Sequence, residues 1–169
     1  ADLARADVGR LGLVLGAVSA GDAVRNAIAS HGPRAEARGV RLLADVAALP
    51  PLRADPRRLA QMLRNLIENA VAHSPAGASV VVEARPSSPG FAEVAVRDAG
   101  EGIAPEHRSR VFERFYRADP ARSRETGGSG LGLPIVRELA RAQGGEVSLR
   151  SEVGRGTIVA FTLPFIENS

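Results

Sequence analysis

Residues 55–73 constrain the fold more than any other segment, because their apolar and polar side chains separate cleanly around a helix. At about 100° per residue, Leu59, Leu63, Leu66, Ile67, Ala70 and Val71 share one side. Gln61, Asn65, Asn69, Ala72 and His73 line the other. Asp55 suits the N-cap and Pro56 the first helical position. A stripe this continuous must be buried against a second layer, and the flanking sequence supplies strands for it.

Residues 79–85 and 91–98 are β-rich runs joined by a Pro- and Gly-containing turn, which reads as a hairpin. Residues 146–150 and 157–163 form a second hairpin by the same criteria. Val40, Leu42, Ala44 and Val46 alternate as in a strand packed on one face, and Pro50 and Pro51 stop it before a connection to the central helix. An earlier helix starts after Ser19 and Asp22 and ends at Gly39, with Pro33 expected to kink or interrupt it. A later one, residues 131–143, tolerates Pro134 in its first turn and stops at Gly144 and Gly145. The sum is an α+β fold: a two-layer α/β sandwich of about five mostly antiparallel strands, with three longer helices on one face. Residues 2–15 show little period and read as the end of a helix running into a linker. The expected organisation is therefore a leading segment, 1–18, and one domain, 19–169.

Composition removes several mechanisms. All 22 basic residues are arginine, so neither a Walker A lysine nor the strand lysine of eukaryotic-type protein kinases is available. The absence of cysteine excludes disulfides and thiolate zinc sites, and His31, His73 and His107 lack metal-ligand spacing. There is neither an apolar run long enough for a membrane span nor a signal-peptide pattern. The net charge of +3 suits an anionic ligand. Low aromatic content and the lack of an arginine stripe argue against nucleic acid as a partner.

Three clusters carry chemistry. Asn65 and Asn69 stand one helical turn apart on the polar side, where an amide oxygen suits Mg²⁺ that takes its other ligands from phosphates and water. Asp98 shares the phase of Val94 and Val96, so its carboxylate points to the packed side and needs a donor such as an exocyclic amine. Gly100 and Gly102 beside it allow close approach and positive φ. Gly128, Gly130 and Gly132 precede a helix whose free N–H groups favour phosphate, with Arg117, Arg122 and Arg124 nearby in a polar stretch that reads as a long mobile loop. Taken one at a time, these residues are equally a wet helix face, a strand-ending turn and a glycine hinge.

In order along the chain, the clusters, together with the Phe112–Arg117 segment, resemble the four boxes of the histidine kinase catalytic domain, within the gyrase, Hsp90, histidine kinase and MutL superfamily. Gln61-Met-Leu-Arg-Asn65-Leu-Ile-Glu-Asn69-Ala looks like the N box, and Asp98-Ala-Gly100-Glu-Gly102 like the G1 box. Phe112-Glu-Arg-Phe115-Tyr-Arg117 is similar to the F box, and Gly128-Ser-Gly130-Leu-Gly132-Leu to the G2 box. The resemblance implies a Bergerat-type fold binding ATP and Mg²⁺. Asn69 would hold the metal, Asn65 support the phosphates and Asp98 receive the adenine amine. Arg117 would approach the phosphates, and Asn65, Asn69 and Arg117 would serve the transfer itself. His73, Gly100, Gly102, Ile103, Tyr116, Gly128, Ser129, Gly130, Leu131, Gly132, Leu133 and Thr157 would complete the nucleotide site. Ala72 departs from the family's frequent lysine, which leaves Arg117 or the lid arginines to compensate.

Hydrolases of the superfamily place a glutamate base four residues before the metal asparagine, where this chain has Asn65. Glu68 points elsewhere, toward an expected pairing with Arg64. The resemblance therefore implies phosphoryl transfer, with the acceptor histidine on a separate dimerisation domain of the same parent and a response regulator receiver domain downstream. None of the three histidines has an acceptor motif. The implied setting is a monomeric cytoplasmic fragment of a membrane-anchored parent. An ATP-binding interaction module or an anti-sigma-factor type serine kinase is the alternative.

Overall fold

The computed structural model describes residues 12–100 and 132–167. Within them the order is β1 (Gly16–Val18), α1 (Ala20–Ala37), β2 (Arg41–Val46), β3 (Leu52–Ala54), α2 (Pro56–His73), β4 (Ser79–Pro86), β5 (Phe91–Asp98), α3 (Gly132–Ala142), β6 (Val147–Glu152) and β7 (Gly156–Pro164). The main sheet runs β2-β4-β5-β7-β6. Every neighbouring pair in it is antiparallel except β2 and β4, which are parallel because α2 carries the chain across between them. α1 packs on β2 and β4, α2 on β4 and β5, and α3 on β6 and β7, so the helices share one face as expected.

The core lies between those layers. Val80, Val82, Val94, Val96, Phe161 and Leu163 point up from the sheet, and Leu59, Met62, Leu63, Leu66 and Ile67 point down from α2, all buried. α2 follows its pattern: Asp55 accepts hydrogen bonds from the Arg57 and Arg58 N–H groups, and Pro56 occupies the first turn. Gly39 ends α1 in the left-handed region at φ 73°, with the Val40 N–H returning to Ala35 O.

Four expectations are corrected. α1 runs through Pro33 without interruption. Pro33 and Ala29, whose carbonyl loses its usual donor, are both exposed residues, so solvent is available to take the donor's place. The connection before α2 contains a strand, β3, which pairs antiparallel with β1, so the entering segment adds a two-stranded sheet. Glu68 pairs across to α1, with Arg34 at 3.3 Å, and not with Arg64. Finally, Gly100 does not use a positive φ. A Cβ there would lie 2.4 Å from the His73 carbonyl oxygen, so close approach is what requires glycine.

A candidate nucleotide site at the polar side of the central helix

Asn65 and Asn69 are both partly buried on the side of α2 turned from the core, held there because Leu66, Ile67 and Ala70 fix the helix's rotation. The Asn65 amide donates to the Gly132 carbonyl at 3.5 Å, which brings the first turn of α3 beside it. Among the described residues, the Asn69 amide has no hydrogen-bond partner.

Asp98 ends β5 opposite Thr157 of β7. Its Oδ1 accepts from the Gly100 N–H at 2.8 Å and the Thr157 N–H at 3.2 Å. Among the described residues no hydrogen bond reaches Oδ2, although a carboxylate oxygen has two lone pairs to offer. Burial pushes the carboxyl above the ordinary aspartate range, and the Gly100 and Thr157 hydrogen bonds and nearby His73 only partly offset it. The approach of Gly100 to the His73 carbonyl places this corner against the C-terminal end of α2.

Thr157 is buried, and its hydroxyl shares a 2.8 Å hydrogen bond with Ser151. Gly156 lies at the turn of the second hairpin. A Cβ on it would stand 2.2 Å from the Asp98 carbonyl oxygen, at φ 106°, so it too shapes this corner. The spacing Gly154-Arg-Gly156 was the available signal. Leu133 is partly buried in the first turn of α3. Gly102, Ile103, Tyr116, Arg117, Gly128, Ser129, Gly130 and Leu131, with the loop arginines Arg122 and Arg124, lie outside the described residues.

Among the described residues no group of three or more His, Cys, Asp or Glu side chains could hold a metal ion. The donor set at Asn69, one open amide oxygen, fits Mg²⁺ that draws most of its ligands from phosphate and water, and does not fit an all-protein cage.

The family of histidine kinase-, DNA gyrase B- and HSP90-like ATPases matches residues 54–167. The chain belongs to this family. Among its relatives, it is 41% identical over 141 residues to the sensor-like histidine kinase SenX3 of Mycobacterium tuberculosis, covering 83% of this chain and 34% of that protein. It is 38% identical over 166 residues to the sensor histidine kinase MtrB of the same species, covering 98% of this chain and 29% of that one. The chain thus spans about a third of the length of these relatives. Among solved structures, full-length ShkA in complex with AMPPNP superposes with a TM-score of 0.82 at 34% identity, over 98% of this chain and 35% of that one. The mycobacterial sensor histidine kinase MprB gives 0.75 at 29% identity, over 89% of this chain and 97% of that one.

Proposed function

We propose that this ATPase-family domain binds Mg-ATP between the polar side of α2, the Asp98 corner and the first turn of α3. It would then transfer the γ-phosphoryl group to a histidine on a separate helical dimerisation domain of its parent. From there the group passes to a response regulator receiver domain in two-component signalling. The observation that carries the reading is the polar side of α2: an open amide at Asn69, and one turn before it an asparagine that cannot serve as base for water. The SenX3 and MtrB relatives are named as sensor histidine kinases, which supports the same choice.

The Asp98 Oδ2 is available to accept the adenine amine, while Oδ1 stays committed to Gly100 and Thr157. The Asn69 oxygen would ligate Mg²⁺, which when bound neutralises charge on the phosphates. Asn65 holds the α3 turn where its N–H groups face the polyphosphate. Transfer forms a nitrogen–phosphorus bond to the incoming imidazole and breaks the bridging oxygen bond to ADP, so the domain's task is positioning and charge neutralisation. We further propose that the parent is membrane-anchored with this domain on the cytoplasmic side. Among the described residues no helix is long and apolar enough to cross a membrane.

Incubation with γ-labelled ATP tests the reading. The chain alone is expected to remain unlabelled, and acid-labile label should appear on an added histidine-bearing hairpin of the parent, rising with hairpin concentration. Label on the isolated chain would contradict the proposal. Nucleotide binding without transfer at high hairpin concentration would favour an ATP-binding interaction module.

A further inference from the structure

α2 and α3 pack on each other with opposite directions, as two hydrogen bonds show. At one end the Asn65 amide meets Gly132 O; at the other the Gln143 Oε1 accepts the Asp55 N–H at 2.8 Å. The two contacts are separated by similar lengths of helix, about 15 Å at ~1.5 Å per residue. The two helices pack on each other, and both bury apolar side chains in the common core, Leu59, Met62, Leu63 and Leu66 from α2 and Val136, Leu139 and Ala140 from α3. Such contact is non-directional and does not by itself fix how far one helix lies along the other.

Gln143 does fix it. Its side chain is fully buried, and besides accepting from Asp55 it donates to Leu139 O at 3.0 Å and to the Met62 sulfur at 3.4 Å. A displacement of α3 along its axis would leave a buried amide and the Asp55 N–H unsatisfied. The same end has no slack against the sheet, since a Cβ on Gly145 would lie 1.6 Å from the Thr162 carbonyl oxygen. At the opposite end, among the described residues, a Cβ on Gly132 would meet nothing within 4 Å. Among the described residues, α3 is anchored most tightly at its C-terminal end.

We infer that Gln143 is a positioning residue for the nucleotide's phosphates, acting through α3 from the end remote from them. This inference rests on the nucleotide reading above. Because a short helix moves as a rigid body, the hydrogen bond to Asp55 sets where the first turn of α3 stands beside Asn65. The part of the ligand that meets that turn is the polyphosphate, whereas the base meets Asp98 on a different element.

The test is calorimetric titration of the full chain with Mg-ATP and, separately, with adenosine, for the wild type and Gln143→Met, which keeps the volume and removes the amide. Mg-ATP is expected to bind about tenfold more weakly to the variant, while adenosine changes by less than about twofold. Equal weakening of both ligands, as from a merely structural role, would overturn the inference, and so would unchanged Mg-ATP affinity. If Gln143→Met does not fold, Gln143→Asn serves: one methylene shorter, it should show the same selective loss, and a proportional loss would again overturn the inference. Failure of the wild type to bind either ligand would instead remove the nucleotide reading itself.

Discussion

The two ends of α2 are each met by an aspartate, and the two carboxylates live under opposite conditions. Asp55, at the N-terminal end, is 5% exposed and accepts hydrogen bonds from the N–H groups of Arg57 and Arg58 on one oxygen and of Val14 on the other. Burial pushes its carboxyl up, but the Val14, Arg58 and Arg57 hydrogen bonds and the Arg58 charge outweigh it and hold it below the ordinary range. Asp98, at the C-terminal end, has its hydrogen bonds among the described residues on one oxygen, and burial prevails. A carboxylate with both oxygens engaged ties the entering segment to the helix. One with an oxygen in reserve is left with an unmet acceptor in a desolvated corner, which on the proposed function is where the ligand's amine would bind.

Removing each carboxylate should break the symmetry. Asp55→Ala deprives three N–H groups of their acceptor and is expected to cost roughly 2–4 kcal/mol. Denaturant titration reads this directly, and the variant that remains folded should bind nucleotide as the wild type does. A variant as stable as the wild type would show that the Asp55 network is incidental.

Asp98→Asn should do the reverse. The asparagine keeps an acceptor for Gly100 and Thr157 but puts an N–H donor where Oδ2 faced the ligand, so ATP affinity should fall by roughly 1–3 kcal/mol and discrimination against GTP should shrink. Stability at neutral pH should be unchanged or higher. Lost stability with intact ATP affinity would make Asp98 a second Asp55.

A smaller effect separates the two by pH. The folded-state pKa of Asp98 is raised above its ordinary 3.8, so the folded state holds that proton more tightly. Its ionisation therefore costs stability that is absent below the ordinary value and appears as pH rises through the raised one. The stability difference between Asp98→Asn and wild type should grow in the variant's favour across that rise. Asp55, with its pKa lowered, contributes stability present above its ordinary value and lost as pH falls through the folded one. A difference that stays flat with pH for Asp98→Asn would mean the carboxylate is not desolvated.

What could be read from the sequence follows the range of the interactions. α2 was legible because its stripe, N-cap and first-turn proline are local, and the phases of Asn65, Asn69 and Asp98 came from the same periodicities. Their assignment to Mg²⁺, phosphate and adenine came from the ordered resemblance, since asparagines and a strand-ending aspartate occur widely. The pairing of β1 with β3 was not legible: Gly16–Val18 and Leu52–Ala54 are too short to show a period, and their partnership is long-range. Gln143 looked like a helix end, and nothing nearby in sequence marks its bond to Asp55. Pro33 does not stop α1 because the cost of one proline is local, and buried Val24, Ala27 and Ala35 on either side of it keep the helix packed.

On the function proposed above, the C-terminal half of α2, unlike its capped N-terminal end, holds Mg-ATP. Calorimetric titration of Mg-ATP into Asn69→Ala beside the wild type tests it most directly, because that amide has no partner to lose among the described residues. Mg²⁺-dependent affinity is expected to be abolished while the melting temperature stays at the wild-type value. Wild-type affinity in the variant would contradict it.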